Sequence, residues 1–459
     1  MKKLLLISTT LATIIASGQA SAQDDAAMQK RLEAMQAQME AMQREMKSLK
    51  EQLAQNKAQT TKIEKATNEI KAHKTPENDV KISMIPAPKF ETADGAYSFK
   101  VGGFAQIDAG IFKDDRKDHP DGTNVRRARL NFSGTLAKDF KYKIENDFAG
   151  NSSTLTDVYL EYAGFKPTSI TVGQFKEPFG LETLTSDTFT SFIERASTNL
   201  FSPDRKIGVM VSSYGTIDPL GAWTASLGGF GSGTSSTTST DDESRDITGR
   251  ITLAPIADKT QVIHFGVAGS HRIPDSSSDS FSFSSRAENQ LSSASSDLAV
   301  NTGTISNVDS VNLLGLEAAG VYGPFSVQGE YVRAAVNRNS GVEPTFGGYY
   351  VEASYFLTGE SRNYNASTGR FERTKPMWPL SVSEGSWGAW QVMARYSNLD
   401  LNDKTILGGQ LKDTTFGIRW IPNNHTMITA NYIMSNSDSN AVTPNDDPHI
   451  FLLRTQFDF

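Results

Sequence analysis

Basic residues occupy every second position in two neighbouring stretches of this sequence. Arg127 and Arg129 lie in the first stretch, and Lys141 and Lys143 lie in the second. Side chains at alternate positions of a β-strand point to the same side of a sheet, so each pair is expected to share a face. A guanidinium stays charged at physiological pH, and its forked donors match phosphate oxygens. The spacing therefore predicts a surface of fixed positive charge that attracts small anions.

The same alternation continues along the chain and sets two interpretations against each other. The basic residues that it places on the polar face are Arg127, Arg129, Lys141, Lys143, Arg250, Arg395, Arg419 and Arg454. The carboxylates expected on that face are Glu145, Asp147, Asp157, Glu161 and Asp458. Either the basic groups form one stripe, or the carboxylates neutralise them and the face is merely polar.

The elements that must position these residues are predicted to be β-strands. From about residue 98 to residue 459, apolar and polar residues alternate, beginning with Phe99, Val101, Gly103 and Ala105 on one face. We count about sixteen candidate strands, starting near residues 98, 124, 139, 154, 168, 206, 222, 245, 260, 310, 325, 347, 387, 410, 426 and 448. The mean hydropathy is only −0.38, as expected when half of each strand faces a wet interior. The predicted fold class is therefore all-β, a transmembrane antiparallel β-barrel of about 16 strands over residues 98–459.

The connections between the predicted strands differ in length in a regular way. Short ones such as Ala137-Lys138 and Gly323-Pro324 follow even-numbered strands. Long polar ones follow odd-numbered strands, at 113–123, 176–205, 232–244, 271–309, 400–409 and 437–447. Short turns on one rim and long loops on the other are typical of outer-membrane barrels. The connection 359–386 is long yet follows an even-numbered strand, so either the register is wrong there or a strand pair is hidden in it.

The N-terminus has the features of a secretory signal. Lys2 and Lys3 precede an apolar stretch, and Ala20-Ser21-Ala22 matches a small-residue cleavage site. Residues 1–22 are therefore predicted to be a signal peptide. A membrane anchor is the weaker interpretation, because the apolar run is too short to span a bilayer.

A helical segment is expected between the signal peptide and the barrel. Residues 23–75 carry apolar side chains at alternating spacings of four and three, from Met28 through Met39 and Met46 to Leu53. Such a heptad seam predicts an α-helical coiled coil, which needs identical partners to bury the seam. One helix lying against a partner protein is the alternative. Residues 76–97 are expected to form a linker.

The last strand ends with an apolar face. Phe451, Leu453, Thr455, Phe457 and Phe459 share it. A terminal Phe on an amphipathic strand resembles the signal that the outer-membrane barrel-assembly machinery reads. Phe459 is accordingly predicted to be an assembly signal.

Several kinds of site and partner are disfavoured by composition. The chain has no Cys, so a thiolate metal site or a Cys nucleophile is excluded. The six His are scattered without ligand spacing, and we expect no metal, no cofactor and no catalytic group. The formal net charge of −7 argues against a nucleic-acid partner.

Longer motifs carry a family resemblance. The stretches RRARLNFSGTL (126–136), KYKIENDFA (141–149), TVGQFKEPFGLE (171–182), IERA (193–196) and SPDRKIGV (202–209) resemble the phosphate-selective porin O and P family, as do YFLTGESRNY (355–364) and GAWQVMARYSNLDLND (388–403). The resemblance implies a homotrimer of sixteen-stranded, anion-selective barrels. It also implies that the third long loop, 176–205, folds inward as a constriction.

The resemblance also assigns roles within the loop 176–205. Its basic candidates are Lys176, Arg195, Arg205 and Lys206, and Arg195 matches an Arg of the family's constriction. An alternative is that Arg195 pairs with Glu194 or Asp187 and only holds the loop's shape. Phosphate-specific members carry a Lys directly after Leu-Glu, where this chain has Thr183. That departure favours a general anion preference over tight phosphate binding.

These observations predict a porin of the Gram-negative outer membrane, with its coiled coil in the periplasm. Small anions such as phosphate, pyrophosphate or chloride would diffuse passively through the barrel. Outer-membrane lipid, lipopolysaccharide and the barrel-assembly machinery are the expected partners. The alternatives are a general porin without selectivity and a barrel that only anchors a coiled-coil tether. A barrel enzyme is disfavoured by the strand count and the scattered His.

Overall fold

The structure is a computed structural model that describes residues 22–73, 80–84, 87–233 and 242–459. It divides into two compact units, Met1–Asn78 and Asp79–Phe459. The predicted signal peptide lies outside the described residues apart from Ala22. No helix among the described residues combines the length and the apolar character needed to cross a membrane.

The first unit contains one long helix, α1, which spans Ala22–His73. Its described Met and Leu side chains between Leu32 and Leu53 are 54% to 61% exposed. The helix agrees with the predicted helical segment. The coiled-coil hypothesis would bury these Met and Leu side chains against other helices. The pairing of helices remains a prediction.

The second unit is a closed antiparallel barrel of sixteen strands in the described part of the chain. They are β1 (Ser98–Lys113), β2 (Gly122–Leu136), β3 (Phe140–Asp147), β4 (Thr154–Tyr162), β5 (Thr168–Lys176), β6 (Arg205–Ile217), β7 (Gly221–Phe230), β8 (Arg245–Ala257), β9 (Gln261–Ile273), β10 (Val308–Tyr322), β11 (Phe325–Arg338), β12 (Thr345–Phe356), β13 (Ala389–Asp403), β14 (Ile406–Asn423), β15 (Thr426–Ser437) and β16 (His449–Asp458). Each strand pairs with the next, and β16 closes the ring on β1, with Arg454 opposite Asp108.

The predicted fold is confirmed in number, order and position of the strands. Every strand begins within about four residues of its predicted start. Period-two alternation was sufficient to locate the strands, because one face of each strand contacts an apolar exterior and the other faces the lumen.

One predicted loop is wrong. The expected long connection 400–409 is a tight turn, because β13 continues to Asp403 and β14 resumes at Ile406. Lys404 adopts a positive φ of 54° in that turn. At this end of β13 the alternation is inverted, because Leu399 and Leu401 are buried in the core inside the barrel while Asp400 and Asn402 lie on the outward face.

Among the described residues, four short strand pairs occupy segments that had no assigned strands. Two of them lie in the connection 274–307, where Ser280–Phe281 pairs with Ile305–Ser306 and Ser284–Ser285 pairs with Val300–Asn301. Tyr364–Asn365 pairs with Arg370–Phe371 in the long connection after β12, so that connection does hide a strand pair. Val80–Ser83 pairs with Lys89–Thr92 across the predicted linker, and the second of these strands also pairs with β1. The end of the linker is thus part of the barrel sheet.

The packed core lies inside the barrel, where inward-folded connections meet the wall. Phe179 and Phe201 of loop 176–205 pack with Phe283 of the connection 274–307. Leu181 of the same loop packs with Phe371 of the connection 357–388. Loop 176–205 therefore packs against connections from both rims.

Candidate functional site

A cavity of about 540 Å³ opens between strands β1–β8 and the two connections 176–205 and 357–388. Its basic lining residues are Arg129, Lys141, Lys143, Lys176, Arg205, Arg250 and Arg370, and its acidic ones are Glu145, Asp157, Glu161, Asp187 and Glu372. The structure thus brings together six of the predicted basic residues and adds Arg370. Basic groups outnumber acidic ones in this lining by seven to five.

Most of these basic groups are ion-paired. Arg129 contacts Asp147 at 2.8 Å and Asp187 at 2.7 Å. Lys143 and Arg205 share Asp157, at 2.7 Å and 2.6 Å. A carboxylate at this distance cancels most of the field that a guanidinium or ammonium projects into the cavity.

Two further ion pairs involve Lys141 and Arg250. Lys141 contacts Glu161 at 3.0 Å, and its side chain is largely exposed. Arg250 contacts Glu317 at 2.5 Å and also donates to the carbonyl oxygen of Gly369 at 2.7 Å. The hypothesis that carboxylates offset the basic face therefore applies to these residues, although partly with carboxylates other than those predicted.

Lys176 and Arg370 differ from the other basic residues of the cavity. Lys176 Nζ donates to the carbonyl oxygen of Thr183 at 2.6 Å, and an Arg370 Nη donates to that of Leu184 at 3.4 Å. Among the residues that the structure describes, neither has a carboxylate within ion-pair distance. These two cations come from opposite connections and keep donors available for an anion.

Loop 176–205 is bonded to the wall on the far side of the barrel. Glu330 on β11 accepts from the backbone N–H groups of Leu181 and Glu182, at 2.9 Å and 2.7 Å. Arg419 on β14 donates to the carbonyl oxygens of Thr190, at 2.6 Å, and of Ser191. The loop therefore crosses the lumen, as the family resemblance implied.

Arg127 and Arg454 act at the same crossing. Arg454 contacts Glu194 of the loop at 2.6 Å and Asp108 on β1 at 2.6 Å. Arg127 donates to the side-chain oxygen of Gln106 at 2.9 Å and lies 3.6 Å from Glu194. Both are buried, so these predicted lumen residues hold the loop to the wall and do not line the cavity.

Arg395 performs the same task for another connection. It contacts Glu288 of the connection 274–307 at 2.5 Å and Glu182 of loop 176–205 at 3.3 Å. Ser397 and Thr415 also donate to Glu288, each at 2.7 Å. Arg395 thereby joins two inward connections to β13.

Arg195 is engaged by its own loop. Its guanidinium donates to the carbonyl oxygens of Glu182 and Thr185, both at 2.9 Å, and contacts Asp187 at 2.6 Å. It is absent from the lining of the large cavity. The geometry supports the alternative in which Arg195 holds the shape of the loop.

Thr183 lies beside these contacts. Its hydroxyl donates to the side-chain oxygen of Asn199 at 2.7 Å, and its side chain is buried. Its carbonyl oxygen is the one that holds Lys176. The Lys176 ammonium therefore lies beside the backbone of Thr183, whose own side chain does not line the large cavity.

Four basic residues were missed by the sequence analysis. Arg126 sits on a β-bulge, where Gln106 pairs with Arg127 but Ile107 pairs with Val125, and it contacts Glu194 at 2.9 Å. The others lie in the connection 357–388, where alternation gives no signal: Arg362, Arg370 and Arg373. The dense basic content of that connection was the one available clue.

The predicted assembly residue completes the sheet. Phe459 exchanges two backbone hydrogen bonds with Gly103 on β1, at 3.0 Å and 3.1 Å. A Cβ on Gly103 would lie 3.0 Å from the Phe459 ring and 2.7 Å from the Arg129 carbonyl oxygen, so only glycine fits there. Within the described ranges, no group of three His, Asp or Glu side chains is placed to hold a metal ion.

The sixteen-stranded barrel, its unequal rims and its partly basic lumen define the class of outer-membrane porins. The sequence model of the family "Phosphate-selective porin O and P" matches residues 99–459, and the chain belongs to that family. It is a protein of the outer membrane.

Relatives in sequence agree with this assignment. Porin O of Pseudomonas aeruginosa is 28% identical over 426 residues, which cover 83% of this chain and 93% of that protein. An uncharacterized protein of Caulobacter vibrioides is 31% identical over 365 residues, covering 76% of this chain and 71% of the relative.

Solved structures share the fold at low sequence identity. An anion-selective porin from Comamonas acidovorans superposes with a TM-score of 0.52 at 13% identity, covering 79% of this chain and 100% of that one. The outer membrane channel DcaP of Acinetobacter baumannii gives a TM-score of 0.50 at 14% identity, covering 79% and 98%.

Proposed function

We propose that this porin lets small anions diffuse passively across the outer membrane and prefers them over cations. The observation that carries the proposal is that Lys176 and Arg370 line the 540 Å³ cavity and that, among the residues that the structure describes, neither has a carboxylate within ion-pair distance. The Comamonas porin with the same fold is itself described as anion-selective.

The preference follows from charge at short range. An ion in a narrow passage loses part of its hydration, and fixed donors of opposite charge replace the lost water. Paired groups such as Lys143 and Asp157 offer little net field. Lys176 and Arg370 can turn donors toward a passing anion, and they repel a cation at the same place.

We expect the channel to pass several kinds of small anion. Thr183 occupies the place where a Lys would add a further donor beside Lys176. Chloride, phosphate and pyrophosphate are all candidates, and we expect phosphate to bind weakly. The activity is that of a channel without a catalytic step.

A non-selective general porin is the second candidate, and the extent of ion pairing favours it. If the paired residues dominate the field, the excess of basic over acidic lining groups is too small to discriminate. Anchoring of a tether alone is a weaker candidate, because it gives no reason for unpaired cations in the lumen.

The assembly that we propose is a homotrimer with its helices paired in the periplasm. The exposed Met and Leu seam of α1 supports helix pairing, since a lone helix leaves that surface in water. Insertion by the barrel-assembly machinery is proposed from the terminal Phe459, and contacts with lipid and lipopolysaccharide follow from the outer-membrane location.

The test is the reversal potential in a KCl gradient across a planar bilayer. We expect the double variant Lys176→Gln/Arg370→Gln to lose most of the anion preference of the wild type. Lys259→Gln, on the exposed turn after β8, is the matched control and should behave as the wild type. An unchanged preference in the double variant would remove the basis of the proposal.

A further inference from the structure

Residues 377–387, here called the tryptophan segment, form an exposed apolar surface at the end of the connection 357–388. Trp378 is 72% exposed, Val382 is 81% exposed and Trp387 is 65% exposed. Met377 and Leu380 are exposed beside them. The segment has a single charged residue, Glu384. Contiguous exposed apolar groups of this kind mark a surface that another phase or molecule covers.

The tryptophan segment has a defined shape. Ser381 and Ser386 exchange two backbone hydrogen bonds of 3.0 Å, and the Ser386 hydroxyl donates to the carbonyl oxygen of Pro379 at 2.5 Å. The backbone N–H of Leu380 donates to the carbonyl oxygen of Pro422 at 2.7 Å. The exposed side chains are thus presented by a compact turn fastened to the end of β14.

The segment is also fastened to the outer wall. Trp390 and Trp420 are paired across β13 and β14, and their rings stack 5.6 Å apart. Both face outward, because Gln391 and Arg419 next to them are buried on the lumen side. The indole N–H of Trp420 donates to the carbonyl oxygen of Trp387 at 2.6 Å. The exposed apolar surface therefore continues directly from the lipid-facing wall.

The height of the segment is fixed by the rim on which it lies. It follows β12, on the rim where short turns connect the strands, and short turns mark the periplasmic side of an outer-membrane barrel. Outward-facing aromatic residues recur along this rim, among them Tyr322, Phe325, Tyr355 and Phe457. Aromatic girdles lie at the level of the lipid headgroups.

We propose that the tryptophan segment is an interfacial membrane anchor that lies in the phospholipid headgroup region of the periplasmic leaflet. Trp and aliphatic side chains favour this boundary, and a segment with one charge loses little solvation on entering it. Lipid is the occupant because the surface is continuous with the lipid-covered face of β13 and β14. The anchor is independent of ion selectivity and holds whether or not the channel prefers anions.

Single-cysteine labelling tests the anchor, since the chain contains no Cys of its own. A nitroxide is attached at Val382→Cys in the full-length protein, reconstituted in phosphatidylethanolamine and phosphatidylglycerol vesicles. Its accessibility to oxygen, which concentrates in lipid, is compared with that to a water-soluble nickel chelate. Ile418→Cys on the outward face of β14 is the lipid control, and Lys259→Cys on an exposed short turn of the same rim is the water control.

We expect the oxygen-to-nickel accessibility ratio at Val382→Cys to exceed that at Lys259→Cys several-fold and to remain below that at Ile418→Cys, because oxygen is less concentrated among headgroups than on the lipid-covered wall. A ratio equal to that at Lys259→Cys would place the segment in water and overturn the proposal. Low accessibility to both reagents would mean that protein covers the segment, as at a contact between copies of the chain, and would overturn it equally.

Discussion

At the scale of single residues, the basic groups of the lumen differ in what accepts their hydrogen bonds and in whether they line the open cavity. Arg195, Arg419 and Arg454 donate to carbonyl oxygens of loop 176–205 or its neighbours. A backbone carbonyl oxygen carries only a partial negative charge, so an arginine that donates to it is not neutralised. These hydrogen bonds fix the path of the loop. Lys176 and Arg370 also donate to carbonyls but line the open cavity.

The first prediction concerns Arg195. We expect Arg195→Ala to destabilise loop 176–205 by about 2–3 kcal/mol, because a buried pair and two carbonyl contacts are lost. Limited proteolysis of the folded protein should then cut within the loop. The anion preference should change little, since Asp187 keeps Arg129 at 2.7 Å.

Arg126→Ala, which removes another contact to the same loop, is the comparison variant. A strong fall in anion preference with Arg195→Ala, in a loop that still resists protease, would contradict the shape-holding role and restore Arg195 as a group that meets the ion.

The second prediction concerns Thr183. Added phosphate should block chloride current only weakly in the wild type, and Thr183→Lys should strengthen the block by about tenfold, the effect of one charge-assisted hydrogen bond. Single-channel current titrated with phosphate measures this. Thr183→Met controls for length without charge, and equal block in the two variants would show that the added charge is not what binds phosphate.

The lumen face of regular strands could be predicted from the sequence, but the partners of each residue could not. Alternation placed Arg129 and Lys143 on the cavity side. It missed Arg126, because a bulge shifts the alternation by one residue. It also missed Arg370, since the connection that carries it has no periodicity and reaches the cavity only through tertiary packing.

At the scale of elements, the strands were predictable because one face of each meets lipid. Tight turns between strands were predictable where Gly, Pro and Asn mark them, as at Gly323-Pro324. The turn at Lys404 was missed, because the strand end before it inverts the pattern, with Leu399 and Leu401 on the inner face and Asp400 and Asn402 on the outer face. The hairpin of Tyr364 and Phe371 was foreseen as one of two explanations for the length of its connection.

The third prediction belongs to the helix α1. Deletion of residues 23–75 should lower the midpoint of thermal dissociation of the proposed trimer while leaving the β-sheet circular dichroism spectrum intact, because paired helices would bury the heptad seam between protomers. Deletion of the same segment should not alter ion selectivity. A full-length protein that is monomeric in mild detergent, by light scattering, would contradict the trimer itself.

At the scale of the whole molecule, the basic residues of the lumen have two roles, which are to hold the inward connections and to attract ions. Three inward connections are held by ion pairs. Most of the basic residues that the sequence pattern assigns to the pore take part in those pairs. What remains for the ion is the small excess of basic groups in the large cavity. Net charge is uninformative here, because a chain of −7 overall still encloses a cavity with more basic than acidic residues.

Anion preference is tested by the reversal potential of the wild-type porin in a KCl gradient at neutral pH. We expect a potential of the sign that chloride permeation gives, reduced toward zero at high ionic strength as the fixed charges are screened. A potential of the opposite sign, showing preference for potassium, would contradict it.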